Sequence, residues 1–155
     1  DALIAQRMDA LKKNGKYSVS KQELEKLNRI FEVGYATEDD TAEVIANCYD
    51  VYDYLMDTHT AVAMSVYDDY FENCADETLS VIVSTANAYK FPCDVYDALA
   101  EEYIDDAQKA TKKLHSYTGE EVPEPLADLD KKQVRFTKVI AKQNIEDEIL
   151  EYIKQ

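Results

Sequence analysis

The segment Leu79-Ser80-Val81-Ile82-Val83-Ser84 constrains the fold more than any other, because it is apolar on both of its alternating sides. A run of this kind reads as a β-strand covered on both faces. Such a strand needs others beside it, yet elsewhere only Val134 to Ile140 is β-prone. Two strands cannot form a free-standing parallel sheet with both faces buried. The expected class is therefore α/β, helix-rich and with few strands, the remaining strands belonging to polypeptide upstream of Asp1. The start of the chain agrees with that expectation: residue 1 is Asp rather than Met, and Ala2 to Met8 already read as mid-helix. A piece expressed alone would cover the exposed sheet surface by pairing as a homodimer.

In open α/β sheets, ligands bind just beyond the carboxyl ends of the strands. Ser84, Thr85 and Asn87 follow the apolar run and fall at that position, so their hydroxyls and amide are candidates for holding a small molecule.

Helix signals fill most of the remaining length. Ser20-Lys21-Gln22-Glu23 is a capping box, followed by Leu24, Leu27, Ile30 and Phe31 on one face and by Gly34 as a stop signal. Thr37 caps a second helix with Ala42, Ile45, Tyr49, Tyr52 and Met56 at three- and four-residue steps, a stripe that reads as core. Asp57 caps a third, because its carboxylate can accept from the free N–H groups of the first turn, and Val62, Val66 and Tyr70 share a face there. Pro92 opens a short helix through about Ala100, and an amphipathic stretch continues to about Leu114. Gly119, Pro123 and Pro125 mark a loop, and Asn144 caps a last helix with Ile145, Ile149 and Ile153 in register. The whole of 1–155 is read as one domain, with the loop at 117–126 separating a last strand-helix unit.

Composition excludes several classes of partner. Against 17 basic residues stand 32 acidic ones, a net charge of −15 with no basic stripe, which would repel a nucleic-acid backbone. Glu38-Asp39-Asp40, Asp68-Asp69 and Asp105-Asp106 are read as solvated faces and first turns of helices rather than cation sites, since carboxylates suit the positive end of the helix dipole. No metal site is expected. Cys48, Cys74 and Cys93 are odd in number and share no metal-ligand spacing; they read as buried, inert thiols of a cytoplasmic protein. No apolar run approaches the roughly 18 residues of a membrane span.

Two segments together carry a resemblance to a known family. Asp57, His59, Thr60 and Ala61 match an Asp-Pro-His-Thr-Ala segment that opens a helix, and Thr85, Ala86, Lys90, Phe91 and Pro92 match a later Ser/Ala-Thr-Ala segment leading to Lys-Phe-Pro. In this order the chain resembles the C-terminal portion of threonine synthase, a pyridoxal-phosphate enzyme of the tryptophan-synthase-β-like class. The flanking Asn14-Gly15-Lys16-Tyr17-Ser18-Val19 and Phe31-Glu32-Val33-Gly34-Tyr35-Ala36 are similar to that family as well. The resemblance covers residues 1 to 100 well and the remainder loosely. Two departures stand out. Thr58 replaces the family's Pro, and Asn87-Ala88 replaces a polar residue followed by Pro, so a histidine role found there in some members does not carry over.

The resemblance implies a fold-type II pyridoxal-phosphate enzyme that converts O-phospho-L-homoserine to L-threonine and phosphate. It implies that the Thr85 hydroxyl, with Ser84 beside it, meets the ring nitrogen of the cofactor. Asp57 and His59 read either as an orienting pair facing the substrate or as a cap and a backbone-satisfied histidine. Thr60 could offer a hydroxyl or an N–H to an anion. Lys90 could meet a substrate phosphate or be an ordinary loop lysine. The family's cofactor-linked lysine has no counterpart here, and Gly15, Gly34 and Gly119 are too scattered to cradle a phosphate. The expectation is an inactive piece that binds no stoichiometric cofactor and needs an N-terminal part of the same enzyme. The rival class is a non-enzymatic, acidic helical module for protein interaction.

Overall fold

Side-chain caps set where the helices begin, and most of those read from the sequence form. The structure, a computed structural model, describes residues 1–74 and 77–154. Helix α1 (Ala2–Asn14) ends at Gly15, whose φ of +70° closes the last turn onto Leu11 O. Ser20 then makes both halves of its box for α2 (Lys21–Leu27): its hydroxyl accepts from Glu23 N at 3.3 Å, and the Glu23 carboxylate accepts from Ser20 N at 2.8 Å. The same carboxylate accepts from Arg7 Nη2 of α1 at 2.7 Å. The Arg7 hydrogen bond first, then those from Ser20, hold the Glu23 carboxyl down at about 2.

Helix α2 stops at Leu27, short of the expected stop at Gly34, and Ile30 and Phe31 are exposed. Gly34 has a different task. A Cβ there would lie 2.7 Å from Val66 Cγ1, so the glycine lets this loop press against the next but one helix.

Four helices make the core. These are α3 (Glu38–Tyr52), α4 (Thr58–Cys74), α5 (Pro92–Ala100) and α6 (Ala107–Thr118). α3 packs on α4 and on α5, and α5 packs on α6. Ile45, Ala61, Val95, Ala110 and Leu114 meet there with almost no exposure. Thr37 caps α3 and forms a second box with Asp40. The face of α3 expected to reach Met56 is cut at Asp53, which takes φ +53° and turns the chain. Met56 is still buried, from the loop, while Tyr52 is exposed and Tyr49 is half-buried.

Pro92 occupies the first turn of α5, where its missing N–H costs nothing. The amphipathic stretch expected to follow is interrupted. Glu101 at φ +52° ends α5, and Asp106 starts α6 by accepting from Gln108 N and Lys109 N, both at 3.0 Å. α6 runs on past Leu114 to Thr118, and Gly119 ends it at φ +74°. α7 (Ile145–Ile153) begins after Asn144 as expected, although the Asn144 side chain makes no capping bond. Of the three thiols, Cys74 is exposed rather than buried, while burial raises the pKa of half-buried Cys48 and Cys93.

The expected strands do not form. Among the described residues there is no β-strand. Residues 79–84 are outside any regular element, and Leu79, Val81 and Val83 are 92%, 79% and 70% exposed. Val134 to Ile140 is likewise unpaired, with Val139 standing in solvent. A β-strand exists only when a neighbouring edge pairs its N–H and C=O groups. No described residue supplies such an edge.

Candidate functional site

The turn between α3 and α4 carries a carboxylate into the interior. Asp57 is only 2% exposed, and it is the N-cap of α4. Its Oδ1 accepts from His59 N at 3.0 Å and from Thr60 N at 3.3 Å, two of the free N–H groups of the first turn. Its Oδ2 faces the other way. It accepts a short hydrogen bond from Thr60 Oγ1, and Ser84 Oγ stands 3.4 Å from it. The hydroxyls of Ser84 and Thr60 are 3.1 Å apart, and Ser84 Oγ also lies 3.4 Å from Ala86 O.

A buried anion is costly unless it is fully hydrogen-bonded. Burial pushes the Asp57 carboxyl up, but the bonds from Thr60, His59 and Ser84 outweigh it, and the pKa lies below the ordinary aspartate value. Asp57 is therefore charged at neutral pH. Both N–H and O–H of Thr60 are engaged by Asp57, so neither is left for an external anion, which would in any case meet the carboxylate.

A cleft of about 210 Å³ opens beside this cluster, with Tyr54, Asp57, Ser84, Asn87, Tyr89, Glu120 and Glu121 on its walls. Tyr89 is buried, and its hydroxyl donates to Glu120 O at 2.6 Å; His115 Nδ1 lies 2.7 Å from the same oxygen. These bonds fix the far wall to α6. The walls carry three carboxylates, so the cleft suits a neutral or cationic group better than a phosphate.

The other expected site residues fall around the cleft in different ways. Ser84 and Thr85 are both exposed; Ser84 is tied into the cluster, while Thr85 is off the cleft wall and its hydroxyl has no partner among the described residues. Asn87 lines the cleft, but its Oδ1 accepts from Tyr89 N at 2.9 Å and so caps the 3-10 turn Ala88–Lys90. Lys90 ends that turn, exposed and off the cleft wall. The ring of His59 is mostly exposed, with Nδ1 3.3 Å from Thr58 Oγ1 and 3.7 Å from Asp57 Oδ1, and it packs on Phe91 at 4.8 Å between centroids. Tyr54, Tyr89, Glu120 and Glu121 carried no sequence signal, because only the packing of α5 on α6 brings residues 120–121 to this place. Among the described residues, no three His, Cys, Asp or Glu side chains converge as a metal site would require, and no helix is long and apolar enough to cross a membrane.

Comparison with known proteins gives two findings. The family model described as "Threonine synthase, C-terminal" matches residues 60–149. Among solved structures, this chain is similar to the pyridoxal-phosphate-bound threonine synthase of Brucella melitensis, with a TM-score of 0.67 and 25% sequence identity. That similarity covers 99% of this chain and 28% of the other, so the chain spans little more than a quarter of that relative's length.

Proposed function

Because the chain belongs to the threonine synthase C-terminal family, we propose that it serves the conversion of O-phospho-L-homoserine to L-threonine and phosphate as the C-terminal part of a cytoplasmic, fold-type II lyase. The observation that carries this reading is the pairing of Ser84, tied to a buried charged Asp57, with Thr85, whose neighbouring hydroxyl is exposed and unengaged among the described residues. A hydroxyl held that way fits the ring nitrogen of pyridoxal phosphate. When bound, the cofactor supplies an electron sink for bond-breaking next to the amino-acid Cα. Thr85 would donate its hydroxyl hydrogen to the ring nitrogen without enforcing protonation there, which would moderate that sink. Asn87 and Tyr89 line the neighbouring cleft, which Ser84 enters and Thr85 does not.

The residues here do not fit the phosphate ends of cofactor or substrate. The cleft is acidic, and Lys90 is off its wall. The phosphate cradle and the cofactor-linked lysine are assigned to the remainder of the enzyme, and the exposed Leu79, Val81 and Val83 support a strand that pairs with a sheet there. Residues 1–155 then act as one domain of that enzyme, with 117–126 leading into its last unit. His59 remains a substrate-facing candidate, since its ring is mostly exposed beside Asp57. The rival reading, an acidic interaction module, has no observation of its own to favour it.

The test is Thr85→Val in the full-length enzyme. It lowers kcat about tenfold, the size of one lost hydrogen bond of roughly 1 kcal/mol or slightly more. It also changes the absorbance of the bound cofactor. Full kcat and an unchanged spectrum remove Thr85 from the cofactor.

A further inference from the structure

Asp57 does more than an N-cap requires. Capping uses one carboxylate oxygen, and Oδ1 alone takes both backbone N–H groups. Oδ2 is left for side chains, and it meets Thr60 of its own turn and Ser84, which lies 27 positions away in the chain. An ionised carboxylate only accepts. The single proton of Thr60 is therefore committed to Oδ2, and Thr60 Oγ1 meets Ser84 as an acceptor. Ser84 is then the donor, with Thr60 Oγ1 at 3.1 Å as its nearest acceptor and Asp57 Oδ2 and Ala86 O each at 3.4 Å. Two of these three acceptors belong to the buried cluster.

Successive side chains of an extended segment point to opposite sides. Ser84 and Thr85 are both exposed, but only the Ser84 hydroxyl reaches the Asp57 cluster, so the Thr85 hydroxyl is directed away from it. We infer that Asp57 and Thr60 are positioning residues: with Ser84 they form a clasp that fixes the 79–87 segment on the start of α4 and so fixes the direction of the Thr85 hydroxyl. This inference rests on the proposed contact between Thr85 and the cofactor ring. It adds that the contact depends on three side chains bonded to one another, Asp57, Thr60 and Ser84.

The experiment uses the full-length enzyme with Thr60→Val, Ser84→Ala, both together, and Thr85→Val alongside. Thr60→Val keeps the shape of the side chain and the backbone cap while removing the hydroxyl. Each clasp variant lowers kcat about tenfold or more, the scale of a small misplacement near the reacting atoms, with KM changed less than about twofold. The double variant is no worse than either single one, because both cut the same chain of bonds. In the cofactor-free protein, amide hydrogen exchange across residues 80–87 quickens in both. Additive losses, or unchanged kcat in the clasp variants while Thr85→Val is impaired, overturn the clasp and leave the Thr85 contact standing. Loss of cofactor occupancy with unchanged kcat per bound cofactor also overturns it, since that is a purely structural effect. A silent Thr85→Val removes the Thr85 contact, and the clasp's role in the reaction falls with it, even where exchange quickens.

Discussion

Gly34 shows how a single missing side chain can govern the docking of a loop. Its position would bring a Cβ within 2.7 Å of Val66 Cγ1 and 3.1 Å of Cγ2 on α4. Valine is stiff about χ1, so its methyl groups cannot swing aside freely. Gly34→Ala should therefore destabilise the protein by about 1–3 kcal/mol, the range of an overpacked contact. Val66→Ala makes the room that the new methyl needs, so the double variant should recover part of the loss in a denaturant titration. Strictly additive losses would show that the two residues do not compete for space. The sequence suggests only that Gly34 ends a helix, because the tight contact lies with a residue 32 positions away and leaves no local pattern. Asp57 divides the same way. Its cap is legible, since the partners are the N–H donors two and three residues on, whereas its bond to Ser84 depends on packing that spacing cannot encode.

Helix α2 has seven residues and none buried, so its termini and its tie to α1 must hold it. Glu23 performs both tasks, accepting from Ser20 N and from Arg7 at once. The folded-state pKa of this carboxyl is lowered to about 2, so its stabilising contribution is fully present above the ordinary glutamate value. It is lost as pH falls from there through about 2. A carboxyl-shift titration by NMR should give Glu23 a midpoint well below the ordinary glutamate value, with α2 fraying over the same interval. Arg7→Ala should move the Glu23 midpoint back toward the ordinary value; a midpoint unchanged by that substitution would discard the ion pair. Caps of this kind are the most legible elements in the chain, as Ser20, Thr37 and Pro92 illustrate. The break after α5 is not. Glu101 adopts φ +52°, a conformation that favours glycine, and the packing of α6 back onto α5 imposes it without any sequence signal.

Two opposed surface properties decide how the chain behaves in solution. The apolar run 79–83 was legible as a β-former, but its partner edge was not, because strand pairing is non-local and this chain's described residues are helical or irregular. An exposed apolar segment with unpaired backbone groups is a template for edge-to-edge association. The net charge of −15 opposes that association, and salt screens the repulsion over about 10 Å at 0.1 M. The 155-residue chain should accordingly self-associate more strongly as salt is raised, in sedimentation velocity at fixed concentration. Val81→Lys separates the two causes. It makes the net charge less negative, so a purely electrostatic account expects more association, whereas pairing through the 79–83 segment expects less because a lysine on the contact side obstructs the facing strand. Val81 is largely exposed, so the melting temperature of the monomer should stay within about a degree or two of the parent, as for a surface substitution under ~0.5 kcal/mol. A variant that associates as strongly as the parent would move the self-association surface elsewhere, with the apolar groove between α1 and α2 as the next candidate.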